Sequence, residues 1–291
     1  MTWGEALAWA SEQVGPNDAR WIVEEASGWD GGTLRGHLDE KVTVRCRRHL
    51  ESMVARRVAG EPLQYVLGRW GFRGLDLAVD PRVLIPRPET EGVVEVALAE
   101  LDRATGGTGA GRVLDLGTGS GAIALSICAE RVRSQVWAVE VCPDAIKVAR
   151  ANAAGLGRAA ARLTILEGSW FEPLRPELRA TFDLIVSNPP YVANDDQVEP
   201  VVAEWEPAGA LWSGPDGLDA VREILAGISD WLAPGGSFVC EVDPRRAEVA
   251  ADLVAATGLG EITLVDDLAG RPRVLRARRA GSHPRGGPAA P

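Results

Sequence analysis

Two short stretches of the 291-residue chain carry residue types that do chemistry at a fixed spacing. The first is "SNPPY", residues 187–191, which follows the apolar run "FDLIV". Proline lacks a backbone donor and cannot join the interior of a sheet, so the strand is expected to stop at Asn188. A residue before proline is pushed to extended geometry, and two prolines in series leave few conformations to lose, so Asn188 is held still. Its side-chain oxygen and the Pro189 carbonyl have no ladder partners and are placed to accept hydrogen bonds from an incoming NH₂ group. Pro190 stiffens the same corner, and Tyr191 offers a flat face to a planar substrate. Two fixed acceptors favour positive charge developing on an amide or aromatic-amine nitrogen as a carbon electrophile arrives, and no strong base is needed. A plain proline turn after a strand is the bland alternative.

The second stretch, "VLDLGTGSGAIALSI", reads as a buried strand, a tight turn at Gly117, Gly119 and Gly121, and a helix. Glycine is required where the backbone takes positive φ or where a ligand presses on it. The spacing is GxGxG, not the GxGxxG that seats a pyrophosphate on a helix N-terminus. Glu140 stands at the end of the next strand candidate, "VWAVEV", where an acidic side chain accepts both hydroxyls of a ribose. Asp115, just before the loop, is placed to reach an ammonium group through water. Loop, Glu140 and Asp115 together suggest a ligand with a ribose and an amine but no pyrophosphate, which is S-adenosylmethionine. A surface glutamate after a strand is the competing reading for Glu140.

The elements that must position these residues follow from the hydrophobic period. Seven short apolar runs beyond residue 75, "RVLDLG", "QVWAVEV", "RLTILEG", "FDLIVSN", "SFVCEV", "EITLVDD" and "RVLRARR", alternate with helical patterns. That alternation predicts an α/β domain with a largely parallel sheet covered on both faces. The first ~70 residues have a helical period instead. Thr2 and Glu5 make a capping box, Ala19, Ile22, Val23 and Ala26 share one face, and Gly28 and Gly60 stop helices. Between the two regions, "GLDLAVDPRVLIPRPETE" reads as an extended linker or hairpin. The expected division is a helical domain over 1–72, a β linker over 73–87, a catalytic domain over 88–279 and a disordered tail over 280–291.

Composition narrows the function classes. Net charge is −10, which disfavours a stable nucleic-acid surface, because phosphate contacts need clustered Lys and Arg. The first 75 residues hold ten basic and ten acidic side chains, so the whole imbalance lies beyond them. Arg45, Arg47, Arg48, Arg56 and Arg57 fit a solvated helix face better than a partner site. Four scattered cysteines suggest neither a zinc site nor a disulfide framework, and no stretch reaches the ~18 apolar residues of a membrane helix. A cytoplasmic monomer is expected, with no metal and no membrane contact.

The chain resembles the bacterial protein-(glutamine-N5) methyltransferases that modify peptide chain release factors. The likeness rests on "EPLQYVLGRWGF" at 61–72, "RVLIPRPETE" at 82–91, "VLDLGTGSGAIAL" at 113–125, "SNPPYV" at 187–192, "EPAGALWSGPDGLD" at 206–219 and "DLAGRPRVL" at 267–275. It implies an N-terminal helical bundle and a seven-stranded Rossmann-like class I S-adenosylmethionine-dependent methyltransferase domain. It also implies that Gly117, Thr118, Gly119, Ser120, Gly121 and Glu140 bind the cofactor, that Trp170 flanks its adenine, and that Asn188, Pro189, Pro190 and Tyr191 hold the substrate glutamine. That glutamine would belong to the Gly-Gly-Gln loop of class-1 release factors. Arg87 and Glu89 either line the pocket or form a structural ion pair. Ser169 stands where the family usually has an acid, and the glycine usual after Glu241 is missing. NPPY is shared with adenine-N6 methyltransferases, so methylation of a nucleic-acid adenine remains open, as do a ribosomal-protein glutamine substrate and a binding module without activity.

Overall fold

The computed structural model describes residues 1–281, so most of the expected tail, residues 282–291, lies outside the described residues. Two compact units form. One holds residues 1–70, 79–81 and 198–206; the other holds 71–78, 82–197 and the described residues from Pro207 onward. The helical unit is therefore not the contiguous stretch that a boundary at residue 72 would make it.

The helical unit contains α1 (Trp3–Val14), α2 (Pro16–Ser27), α3 (Gly31–Gly36), α4 (Val44–Val58) and α5 (Leu63–Leu67). Thr2 caps α1 reciprocally with Glu5: the Thr2 amide donates to the Glu5 carboxylate at 2.8 Å, and the Glu5 amide donates to the Thr2 hydroxyl at 3.2 Å. Gly28 closes α2 in the left-handed region at φ 73°. Ala19, Ile22, Val23 and Ala26 of α2 meet Trp3, Leu50 and Met53 in one buried cluster, so the helical period finds its core within this unit.

A two-stranded ribbon follows, β1 (Arg69–Phe72) and β2 (Leu75–Ala78). The catalytic unit then runs α6 (Pro88–Ala104), β3 (Arg112–Leu116), α7 (Ala122–Glu130), β4 (Gln135–Glu140), α8 (Pro143–Gly155), β5 (Leu163–Glu167) and β6 (Phe182–Ser187). The short helix α9 (Pro200–Trp205) belongs to the helical unit, where a Cβ on Gly60 would stand 3.9 Å from the Trp205 indole nitrogen. After it come α10 (Asp219–Trp231), β7 (Leu232–Glu241), α11 (Ala247–Ala255), β8 (Gly260–Asp266) and β9 (Pro272–Arg278). All seven expected strands form one sheet in the order β5-β4-β3-β6-β7-β9-β8, with only β9 antiparallel to its neighbours.

Both faces are covered, as the near-continuous apolar strands require. Phe182 and Ile185 of β6 pack under α10 and α11, whereas Leu184 and Val186 pack under α6 and α7. Helix α6 is bolted to the sheet by Glu100. That carboxylate accepts from Ser237 at 2.6 Å, Arg278 at 2.7 Å, Arg103 at 2.8 Å and Arg276 at 3.0 Å. Although burial opposes it, this set of donors holds Glu100 well below the usual carboxylate range. The chain moves outward from β3 to β4 and β5, then returns to lay β6 on the other side of β3. Ligands of open α/β sheets bind at such a reversal, beyond the carboxyl ends of the strands.

Candidate active site

A cavity of about 370 Å³ opens at that reversal, a size suited to a nucleoside-sized ligand. The glycine loop makes one wall. Gly117, Gly119 and Gly121 take φ of 72°, 56° and 87°, so the GxGxG spacing marks three left-handed positions in the turn from β3 to α7. The Gly117 and Thr118 amides both donate to the Val139 carbonyl, at 2.9 and 3.0 Å, which hangs the loop on the tip of β4.

Glu140 ends β4 on the cavity wall, and its two oxygens accept the amides of Gly119 at 2.8 Å and Cys142 at 2.9 Å. The carboxylate is thus oriented by backbone it shares with the loop, and each oxygen keeps a lone pair for a further donor. Thr118, Ser120, Ser169 and Trp170 also line the cavity. Trp170 sits at φ 43°, and its indole N–H donates to Glu223 at 2.6 Å. Glu223 lines the same cavity, an acid the sequence reading did not single out.

Asp115 is not on that wall. It is wholly buried beneath the loop, where one oxygen accepts the Thr118 hydroxyl at 2.6 Å and the Ala124 amide at 3.2 Å. Its other oxygen has no hydrogen-bond partner. Desolvation raises its pKa to about 7 against the opposing hydrogen bonds. From this inward position Asp115 braces the loop through the Thr118 hydroxyl and the Ala124 amide.

The proline corner lies across from the glycine loop. Strand β6 ends at Ser187, one residue earlier than expected, and Asn188 and Pro190 line the cavity. Pro189 is buried and Tyr191 is half-buried, and neither is among the cavity-lining residues. The Tyr191 hydroxyl donates to Glu241 at 3.2 Å, which ties this ring to the end of β7. The "EPAGALWSGPDGLD" segment holds the chain just beyond. The Val192 amide donates to the Leu211 carbonyl at 2.9 Å, the Ser213 amide donates to the Val192 carbonyl at 2.8 Å, and Gly217 lets the Tyr191 carbonyl approach. A Cβ at Gly217 would stand 2.5 Å from that oxygen.

Of the linker pair, Arg87 lines the cavity, whereas Glu89 pairs with Arg271 at 3.7 Å. Thr90, one residue further on, was not anticipated. Its hydroxyl donates to Glu241 at 2.7 Å and accepts the Asn188 side-chain NH₂ at 3.1 Å. Burial raises the pKa of Glu241, and burial together with the neighbouring Glu241 charge raises that of Tyr191.

Sheet order, glycine loop and rim acid together define a class I methyltransferase fold. A methyltransferase from Pyrococcus furiosus shares it, at a TM-score of 0.50 and 18% identity over 79% of this chain and 99% of that one. The PrmC N-terminal domain family matches residues 4–68, and the methyltransferase small domain family matches residues 95–205. The release factor glutamine methyltransferase of Burkholderia pseudomallei is 42% identical over 91% of this chain and 92% of its own length. That of Geobacter sulfurreducens is 40% identical over 90% and 88%. The chain belongs to the release factor glutamine methyltransferase family. Among the described residues no helix is long and apolar enough to cross a membrane.

Proposed function

We propose that the protein transfers a methyl group from S-adenosylmethionine to the side-chain amide nitrogen of the glutamine in the Gly-Gly-Gln motif of class-1 release factors. Family membership supports the reaction. The observation that carries the site assignment is that Asn188 lines the same cavity as Glu140 and the glycine loop.

The cavity's donors and acceptors fit the cofactor. Glu140 has lone pairs left for a ribose diol, Trp170 supplies a flat apolar surface for a base, and the loop backbone is open to close approach. When bound, the cofactor supplies an electrophilic methyl group on a sulfonium. The chain's own residues handle the nucleophile. An amide nitrogen is a poor nucleophile because its lone pair is delocalised into the carbonyl. The Asn188 oxygen and the Pro189 carbonyl accept its hydrogens, which favours the positive charge that builds on nitrogen as the new bond forms. The proline pair keeps these acceptors in place, so positioning supplies much of the rate. The methylated amide then loses a proton to water, and no side-chain base is needed.

Methylation of adenine in nucleic acid has less support, since the surplus of acid lies beyond residue 75, in the part of the chain that holds the cavity. Co-expression with a class-1 release factor, followed by peptide mass spectrometry, tests the proposal. The expected result is one added CH₂ on the Gly-Gly-Gln glutamine, absent when Asn188 is replaced by alanine. An unmodified glutamine beside a modified adenine in nucleic acid would overturn it.

A further inference from the structure

We infer that Thr90 is a positioning residue for the transfer: its hydroxyl takes up the Asn188 NH₂ and so turns the Asn188 oxygen toward the substrate amide. The inference rests on the proposed reaction and adds what sets the orientation of its acceptor. A side-chain amide is nearly symmetric in shape, and a half-turn about its last bond exchanges oxygen for NH₂. Only one of the two orientations suits an incoming NH₂ group. The other would present donors to donors.

Hydrogen-bond accounting selects the productive one. A threonine hydroxyl has one proton to give. Thr90 is buried, and it gives that proton to the Glu241 carboxylate at 2.7 Å. In its carboxylate form Glu241 takes the Thr90 proton on one oxygen and the Tyr191 proton, at 3.2 Å, on the other, and so returns none to Thr90. Thr90 is left with lone pairs alone, and Asn188 meets it through the NH₂ at 3.1 Å. The Asn188 oxygen makes no hydrogen bond within the described residues, and Asn188 lines the cavity. Turning the amide over would set two oxygens against each other at that distance and leave a buried hydroxyl pair unsatisfied.

The scaffold fixes each member of the relay. Thr90 lies in the first turn of α6, which Glu100 anchors to β7 and β9, and Glu241 is the last residue of β7. The relay joins "IPRPETE", "SNPPY" and the end of "CEV", three segments far apart in sequence.

The test uses the full chain and four variants, Thr90→Val, Thr90→Ser, Asn188→Ala and the double variant Thr90→Val/Asn188→Ala. Thr90→Val keeps the shape and removes the hydroxyl. With release factor as substrate, it is expected to lower kcat about 10-fold, with KM and the cofactor Kd within about 2-fold, while Thr90→Ser stays within about 3-fold of wild type. On the Asn188→Ala background, Thr90→Val is expected to add nothing, because its target is gone. A merely structural role would cost activity on both backgrounds. Separately, in protein labelled with ¹⁵N at asparagine, the Asn188 NH₂ signal should show slowed hydrogen exchange that Thr90→Val removes. Wild-type kcat in a folded Thr90→Val protein, or unprotected Asn188 amide protons in wild type, would overturn the inference. Should wild type leave release factor unmodified, the reaction reading fails instead, and the amide measurement still decides whether Thr90 orients Asn188.

Discussion

Leu116 and Ser187 are register partners at the tips of β3 and β6, and the Ser187 hydroxyl donates to the Leu116 carbonyl at 2.7 Å. Each is the residue immediately before a functional corner: Gly117 follows one and Asn188 the other. This buried hydrogen bond adds to the β3–β6 ladder in fixing the glycine loop against Asn188. Ser187→Ala is expected to cost about 1 kcal/mol in urea unfolding. It should lower kcat by roughly 3-fold or more, because small misplacements between reacting groups are expensive. Equilibrium unfolding and steady-state kinetics on one preparation check both, and a stability loss with unchanged kcat would show that the staple is not rate-relevant.

Asn188→Ala removes the proposed acceptor, whose strength would matter most once charge has built on the amide nitrogen. The expected result is a fall in kcat of about 10²-fold with the cofactor Kd little changed. Stopped turnover alone would not suffice, so calorimetric titration of the cofactor belongs beside it. Loss of cofactor binding in this variant would mean that Asn188 serves the nucleoside rather than the substrate.

The distribution of what sequence could show has a physical basis. Local patterns were legible: each strand of the sheet is a short apolar run, and the three loop glycines sit at a spacing that the left-handed turn demands. Glu140 was legible because its position at a strand tip follows from the same pattern. Side-chain direction beyond the backbone was not. Tyr191 turns to Glu241, and Asp115 turns under the loop, since each is set by a neighbour that periodicity cannot locate. The Thr90–Glu241 contact spans 151 residues of chain, and no local rule relates the two. Glu223 looks in sequence like any exposed acid on a helix, and only the Trp170 indole beside it gives it meaning. Residues 198–206 join the helical unit for a similar reason, through packing that leaves no periodic trace in so short a segment.

Glu140 holds the loop backbone through the Gly119 and Cys142 amides and keeps lone pairs for the proposed ribose contact, and alanine removes both. Glu140→Ala is expected to weaken cofactor binding by about 10-fold or more in calorimetry, from loss of charge-assisted hydrogen bonds and of loop order together. Glu140→Gln keeps one carbonyl acceptor and should fall between the two. An unchanged Kd in the alanine variant would remove Glu140 from the ribose contact.

Asp115 gives a pH signature. Its folded pKa is raised to about 7 by desolvation, against an ordinary value of 3.8, and the Glu140 charge adds to the shift. Between these values the folded state holds a proton that the unfolded chain has released. Stability from this group is thus fully present below about pH 4 and is lost as pH rises through about 7, with a slope of up to about 1.4 kcal/mol per pH unit. Other carboxylates titrate over part of the same range, so the comparison is with Asp115→Asn, which is neutral throughout and retains a carbonyl acceptor for the Thr118 hydroxyl. The unfolding free energy of wild type minus that of Asp115→Asn should fall from pH 4 to pH 7 and level off above it. A flat difference across that window would mean that Asp115 is ionised in the folded protein, and that a counter-charge or water compensates its unpartnered oxygen.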